Sequence, residues 1–538
     1  MKLNPVTLRN YLVVHTWTGI LASLFLFVAF YAGALAMFKP EINHWTRAEP
    51  VRSSASPNAD ALTAAFLQAH PDVQRATLVL PSESNAAPYI EYSAGKQKHQ
   101  IELGADGQLR NVALDDSASG RFVDYLHRKG GLPLPLDQAE PVIGVVSMLY
   151  ALALISGVVV LLPSLVKDLF VLRFGRNVKR WWLDLHNLLG VASLPFHIVM
   201  ALSAAVFCLH DWIYVAQNHM IYPGGLKSAE ARSAPQRPPV TADPTTWRTP
   251  TGLIVSARQA APGFAPTALD YRGLGTPKAA VYVAGTDDAH FKRSPRVGYA
   301  VLDPVTGASV QTGMLPGQGS NWSSTLVGFF SLHFGSYGGV PVRMLYAVLG
   351  VMGALLFYTG NVLWIESRTK RLRGGDLAAP VPRHVRWVAS LNLGVSLGCV
   401  MGLSAALVAA RWLSATPLAA DTVVHAAYYL CFAGCLAYAF VRGTQAATVG
   451  LLAAAAIATA LIPATSLWVA LVQWPGAWLK PAAPGLWFID AFSALGAVLL
   501  AWLCLRAVRR QRTGPAAPVA PAATPSLRFP NQPLSDHE

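Results

Sequence analysis

Long apolar runs alternate with two stretches of mixed polarity along the first two thirds of the chain, then crowd together. About 20 apolar residues in helical geometry cross a hydrocarbon layer roughly 30 Å thick. Runs of that length cover Leu12–Phe38, Val142–Leu162, Leu188–Leu209 and Met344–Ile365. Four more follow near Val388–Val408, Thr422–Phe440, Ala446–Val472 and Leu486–Leu505. The pattern predicts a membrane all-α bundle of about eight transmembrane helices.

Between spans one and two, and again between three and four, the periodicity changes. Ala59–His70 has a helical pattern. Ala76–Leu80, Tyr89–Ser93 and Gln100–Leu103 read as short strands, with a turn at Ala105-Asp106-Gly107. The second stretch repeats that order. Leu253–Ala261 reads as a helix, and strands follow around Ala268–Tyr271, Ala279–Val283 and Val297–Leu302 before the turn Asp303–Gly307. Gly224–Pro250, rich in Pro, Ala and Arg, reads as a linker. The expected fold is therefore a helical bundle with two α+β domains inserted between spans 1–2 and 3–4. Its divisions are span one (1–40), a first outer domain (41–140), span two (141–165), an inner loop with span three (166–211), a second outer domain (212–341), span four (342–366), a further four-helix bundle (384–510) and a disordered tail (511–538).

Composition agrees: 53% of the 538 residues are hydrophobic and 13% charged, against about 25% charged in an ordinary soluble domain. The net charge of +14 does not indicate nucleic acid, because the basic residues gather at span ends. Lys2 and Arg9 precede span one. Lys167, Arg173, Arg176, Lys179 and Arg180 follow span two, Arg368 to Arg386 follow span four, and Arg506 to Arg512 follow span eight. With eight spans these clusters share one side, which the positive-inside rule assigns to the cytoplasm together with both termini. Span one is too long for a cleaved signal peptide and reads as a retained helix. None of the five cysteines falls in the outer stretches, and no Cys-x-x-Cys-His occurs to attach haem covalently.

A repeat links the two halves. His15-x-x-x-Gly19 opens span one, and His186-x-x-x-Gly190 opens span three. Leu126-His127 and Leu332-His333 close the outer stretches. Ser156-Gly157 and Thr359-Gly360 end spans two and four. Ionisable groups inside a membrane are functional candidates by default, and here they are histidines with few carboxylates. Imidazole favours haem iron, copper or zinc over hard cations. His186 and His197 lie eleven positions apart, about 16 Å and three turns on a regular helix, so they share a face at two depths. An isolated histidine of this kind is as often a capping or packing residue. The matching depth of His15 favours ligation, and a haem on the cytoplasmic side held by His15 and His186 is the natural pairing. An outer haem has two possible pairs, His197 with His333 or His127 with His333.

The duplicated unit resembles the PepSY-associated transmembrane family, often described as iron-regulated or siderophore-uptake membrane proteins. The likeness rests on His15-x-x-x-Gly19, Trp182-Leu183-Asp184-Leu185-His186 with Gly190, Leu332-His333-Phe334-Gly335, and Thr359-Gly360 with Trp364. It covers about residues 1–375. The resemblance implies PepSY-like domains in the periplasm, b-type haem (two groups on this reading), and an inner-membrane reductase of ferric siderophores. The last four spans depart from the minimal four-helix pattern. No flavin or nicotinamide fingerprint is present, so electrons would come from an unidentified donor, a quinol or a cytoplasmic reductase. Two rivals remain: a permease for iron complexes, and a peptide-binding regulatory or scaffold protein in which the histidines are structural. Asn321-Trp322 is a further candidate for the substrate surface.

Overall fold

The computed structural model describes residues 4–46, 58–81, 87–95, 97–112, 118–164, 173, 178–228, 240, 243–287, 289–290, 298–373, 381–413, 420–473 and 486–512. The expected tail beyond Arg512 lies outside these residues, as do most of the basic loop after span two and the side chain of Trp322.

Helix α1 (Pro5–Ala36) starts on the side-chain cap of Asn4 and runs into a short helix, α2 (Lys39–Thr46). The first outer segment supplies α3 (Ala59–Ala69), β1 (Arg75–Val79), β2 (Tyr89–Ala94), β3 (Gln97–Leu103), β4 (Leu109–Val112) and α4 (Ala118–Lys129). Helix α5 (Leu136–Leu161) follows, then α6 (Val178–Ala192) and α7 (Leu194–Met220). The second segment supplies α8 (Pro250–Ala260), β5 (Ala265–Arg272), β6 (Ala280–Thr286), β7 (Gly298–Leu302), β8 (Ser309–Gln311) and α9 (Asn321–Phe334). The chain then continues as α10 (Gly339–Arg373), α11 (Arg383–Leu413), α12 (Ala420–Trp468) and α13 (Leu486–Arg512).

Seven of the described helices are long and apolar enough to cross a membrane: α1, α5, α7, α10, α11, α12 and α13. With this length and apolarity the chain is a multi-pass membrane protein. Helix α12 merges two of the apolar runs read separately in the sequence. At Gly443 its backbone leaves helical geometry (φ 71°, ψ 157°), a region that essentially only glycine occupies. Before that point α12 runs antiparallel to α11: Ser390 donates to the Ala439 carbonyl, and Gly402 meets Tyr428. Beyond it the direction is parallel, with Ser404 bonded to Thr459 and Trp412 to Thr465. The long helix therefore doubles back on itself.

Span three is also broken. Ser193 separates α6 from α7, because Pro195 has no N–H to continue the ladder. His186 and His197 consequently lie on two helical segments, though both face α10, at Gly360 and Gly353.

The two outer segments meet in one eight-stranded antiparallel sheet of order β4-β3-β2-β1-β5-β6-β7-β8. The order is palindromic about the β1–β5 pair, where Leu78 lies opposite Leu269. Alternate residues of both halves (Leu78, Ile90, Leu269, Val283, Leu302) face α3 and α8 and form a common core with Leu62, Phe66 and Leu253. Each such side chain contributes about 1.5–3 kcal/mol by leaving water. Asp270, on the other face, holds the halves together across 195 residues of sequence by accepting from Nε (3.0 Å) and Nη2 (2.8 Å) of Arg75. Six of the strands lie close to where the pattern predicts them, but the two expected outer domains form one joint sheet. Strands β4 and β8 are additions to that pattern, and the Leu-His pairs do not sit at span ends. They lie instead on separate helices, α4 and α9, that precede spans two and four.

Inside the bundle, a buried chain of amides ties the repeat to the additional helices. Ser23 of α1 donates to Asn361 of α10, and Asn361 donates to Asn392 of α11, both at 3.0 Å.

Candidate functional site

Four of the five candidate histidines form two pairs. The rings of His15 on α1 and His186 on α6 have centroids 6.2 Å apart. Those of His127 on α4 and His333 on α9 are 6.3 Å apart. Each pair takes one histidine from each half of the repeat. A metal–nitrogen bond of about 2.0 Å, plus about 1.1 Å from that nitrogen to the ring centre, puts two opposed imidazoles on one metal about 6.2 Å apart. Both pairs have this spacing.

Hydrogen bonds fix the tautomers. His15 Nδ1 bonds the Ala153 carbonyl (2.8 Å), and His127 Nδ1 bonds the Ala29 carbonyl (2.7 Å). A carbonyl only accepts, so Nδ1 carries the proton in both. His186 Nδ1 meets Thr359 Oγ1 (3.1 Å), whose own proton goes to the Leu356 carbonyl. His333 Nδ1 meets Ser203 Oγ (2.6 Å), whose proton goes to the Val199 carbonyl. Both hydroxyls therefore accept from the ring. In all four histidines Nε2 keeps its lone pair for a metal, with Nδ1–H oriented by an acceptor, as metal-ligating histidines ordinarily are.

Glycines give the rings room. A Cβ on Gly157 would sit 2.9 Å from Cε1 of His15, and one on Gly33 would sit 2.8 Å from Nδ1 of His127. At Gly360 it would lie 3.3 Å from Cε1 of His186. The recurrent Ser-Gly and Thr-Gly at the ends of spans two and four are thus seats for the histidines of spans one and three. By contrast, Gly19 has nothing within 4 Å of an added Cβ, and Gly190 only Leu356 at 3.5 Å. In the His-x-x-x-Gly motif it is the histidine that meets the site.

His197 joins neither pair. Fully buried on α7, it shares a hydrogen bond with Tyr150 of α5 through Nδ1, while Nε2 has no partner among the described residues. Phe30, Phe196 and Phe357 surround it, with ring centroids 5.5–6.3 Å away. On α10, Gly353 beside His197 precedes Gly360 by about 10 Å of helix, and on α7 His197 precedes Ser203 by about 9 Å. This aromatic cluster therefore fills the interior between the two pairs. Tyr150, Ser203, Thr359 and the seating glycines join the site only in the folded structure. The recurrence of Ser156-Gly157 and Thr359-Gly360 was the available signal.

The outer pair lines a cavity of about 1670 Å³, together with Phe207, Met37, Tyr150 and Arg343. Ion pairs surround it: Lys39 with Asp124 (3.4 Å), Arg128 with Glu140, and Arg343 with Glu41 (2.8 Å). Among the described residues, no three or more His, Cys, Asp or Glu side chains converge as an ion cage. The candidate ligands come in twos, which suits a metal whose other ligands are not protein groups.

No curated protein matches the chain. Residues 12–367, which hold all five candidate histidines, match the family described as the PepSY-associated TM region. The match takes in the whole duplicated unit and ends before α11, so this multi-pass membrane protein belongs to the PepSY-associated transmembrane family.

Proposed function

We propose that the chain is a b-type haem protein of the bacterial inner membrane that moves electrons outward to reduce ferric siderophores in the periplasm. The carrying observation is the two histidine pairs, 6.2 and 6.3 Å between ring centres with the rings inclined at 70° and 46°, each ring engaged through Nδ1. His15 and His186 would hold one haem, and His127 and His333 the second. A haem bound there would supply one-electron redox chemistry, with the histidine imidazoles as its protein ligands.

The protein's own contribution is placement. Its backbone carbonyls and the Ser203 and Thr359 hydroxyls orient the imidazoles and raise their basicity. Phe30, Tyr150 and Phe357 pack around His197 in the space between the pairs. Along α1 from His15 to Ala29, the contact of His127, is about 21 Å, most of a hydrocarbon layer. The arrangement thus supports a conduit from an inner donor, a quinol or a cytoplasmic reductase, to an outer acceptor. The doubling back at Gly443 supports eight crossings, with both termini in the cytoplasm and the joint sheet as a PepSY-like unit in the periplasm. The outer cavity exceeds the roughly 300–1,000 Å³ of a usual small-ligand site, which supports a substrate lying beside a ring system. One electron delivered there converts siderophore-bound Fe(III) to Fe(II), which such hard-oxygen chelators hold weakly.

A pyridine haemochrome assay on purified protein is expected to give two haems per chain. It should give one for His15→Ala with His186→Ala, and one for His127→Ala with His333→Ala. A ferric hydroxamate should reoxidise the reduced wild type. Protein without haem after haem-replete expression refutes the reading.

A further inference from the structure

The last three helices lie outside the matched unit, yet they reach back to one of its outer helices. Arg121 of α4 donates to both carboxylate oxygens of Asp421 on α12, at 3.0 and 2.8 Å. Phe122, 3% exposed, inserts among His425, Tyr428 and Tyr429 of α12, with ring centroids 4.8, 5.3 and 6.4 Å away. Tyr429 also donates to the Leu132 carbonyl just beyond α4 (3.1 Å). Helix α2, which caps the start of α4 through Asn43 and the Gly120 amide (2.8 Å), is held the same way. Trp45 donates to Ser466 and Asp490, and Arg411 donates to the Trp45 carbonyl.

Helix α4 carries His127. Its counterpart in the second half, α9 with His333, is held differently: it packs on α7 through Phe207 and is fixed by Tyr346 of α10, which donates to the Leu332 carbonyl. The repeat is thus symmetric in its ligands and asymmetric in what supports them. We infer that the C-terminal helices are a positioning device for the outer pair, clamping α4 so that His127 keeps its register opposite His333. Phe122 is the positioning residue, and Asp421 with Arg121 sets its orientation. This role rests on the haem reading only for its spectroscopic arm.

The test uses the full chain in lipid nanodiscs. Phe122→Ala should speed amide hydrogen exchange across 124–129 by about tenfold or more, with α6 and α7 unchanged. It should also alter the low-spin ferric signature that disappears in His127→Ala, while leaving the signature that disappears in His15→Ala. Phe122→Leu should restore both. If Phe122→Ala proves unstable, the charge swap serves instead. Arg121→Asp or Asp421→Arg alone should loosen 124–129, and the double variant should recover protection. Wild-type exchange across 124–129 in all these variants overturns the inference, and so does a loss of protection spread evenly over both halves. A change in both haem signatures together also overturns it. A haem-free wild type would sink the electron-transfer reading alone, because the exchange measurement still decides the clamp.

Discussion

Replacing Gly157 by alanine places a methyl carbon 2.9 Å from Cε1 and 3.0 Å from Nδ1 of His15. Ordinary carbon contacts lie at about 3.5–4.0 Å, so the ring must retreat by about 0.5 Å or more. Metal–ligand distances tolerate about 0.2 Å, and the same retreat disturbs the 2.8 Å bond from His15 Nδ1 to the Ala153 carbonyl. Loss of such an orienting partner typically costs 10–100-fold in metal affinity, or about 1.4–2.8 kcal/mol. Against this stands a gain of about 1 kcal/mol in helix propensity, because Gly157 lies within α5. The fold should therefore survive while the site weakens. Gly360→Ala is the internal control: its Cβ would meet His186 at 3.3 Å, a contact the ring can relieve with a few tenths of an ångström. Gly19→Ala, with open space around it, should be silent at the site. The assay is the rate of haem transfer to an excess of a haem-scavenging apoprotein, run beside thermal unfolding. The expected order of loss is Gly157→Ala, then Gly360→Ala, then Gly19→Ala indistinguishable from wild type. Wild-type haem retention by Gly157→Ala, or a greater loss from Gly360→Ala, would refute the seating argument.

Thr359→Val keeps the shape of the residue but removes the acceptor for His186 Nδ1–H, and Ser203→Ala does the same for His333. Each should weaken retention of its own haem by about tenfold or more and leave the other untouched, as resolved by potentiometric titration of the two signatures. In the outer sheet, burial raises the Glu102 carboxyl above its ordinary value. An acid whose folded pKa is raised costs stability once pH exceeds its unfolded value, so Glu102→Gln should raise the melting temperature at pH 7. The difference should fade below about pH 4, where both states are protonated. A constant difference across that range would show that charge is not its source.

Much of the membrane architecture was legible because an apolar run of span length has few other uses. Spans one, two, four and five appear close to where the pattern put them. What the pattern hid was backbone continuity. Pro195 breaks span three within an unbroken apolar run, whereas the turn at Gly443 is announced by the polar Arg442-Gly443-Thr444-Gln445 between two apolar runs. The inner histidines were legible through recurrence, since His15 and His186 open equivalent spans. The outer pair was legible only as one of two alternatives, because depth along α7 does not say which way a ring points. His197 lies at a suitable depth, yet it turns to Tyr150, while a short helix brings His127 to His333. Joining two outer segments into one sheet was also beyond periodicity, since Arg75 and Asp270 are 195 residues apart and their register is set only by the folded halves.

The palindromic sheet also bears on how such a chain arises and comes apart. A single unit of this repeat, expressed alone, would end its sheet at an open β1 or β5 edge, a template that seeks another strand. The strand most like its missing partner belongs to a second copy of itself, paired about a twofold axis as in an isologous dimer. One covalent chain therefore keeps the geometry of a dimer whose two sites each need a histidine from both members. Co-expressed halves should find each other through that edge, and neither half alone would assemble a complete histidine pair.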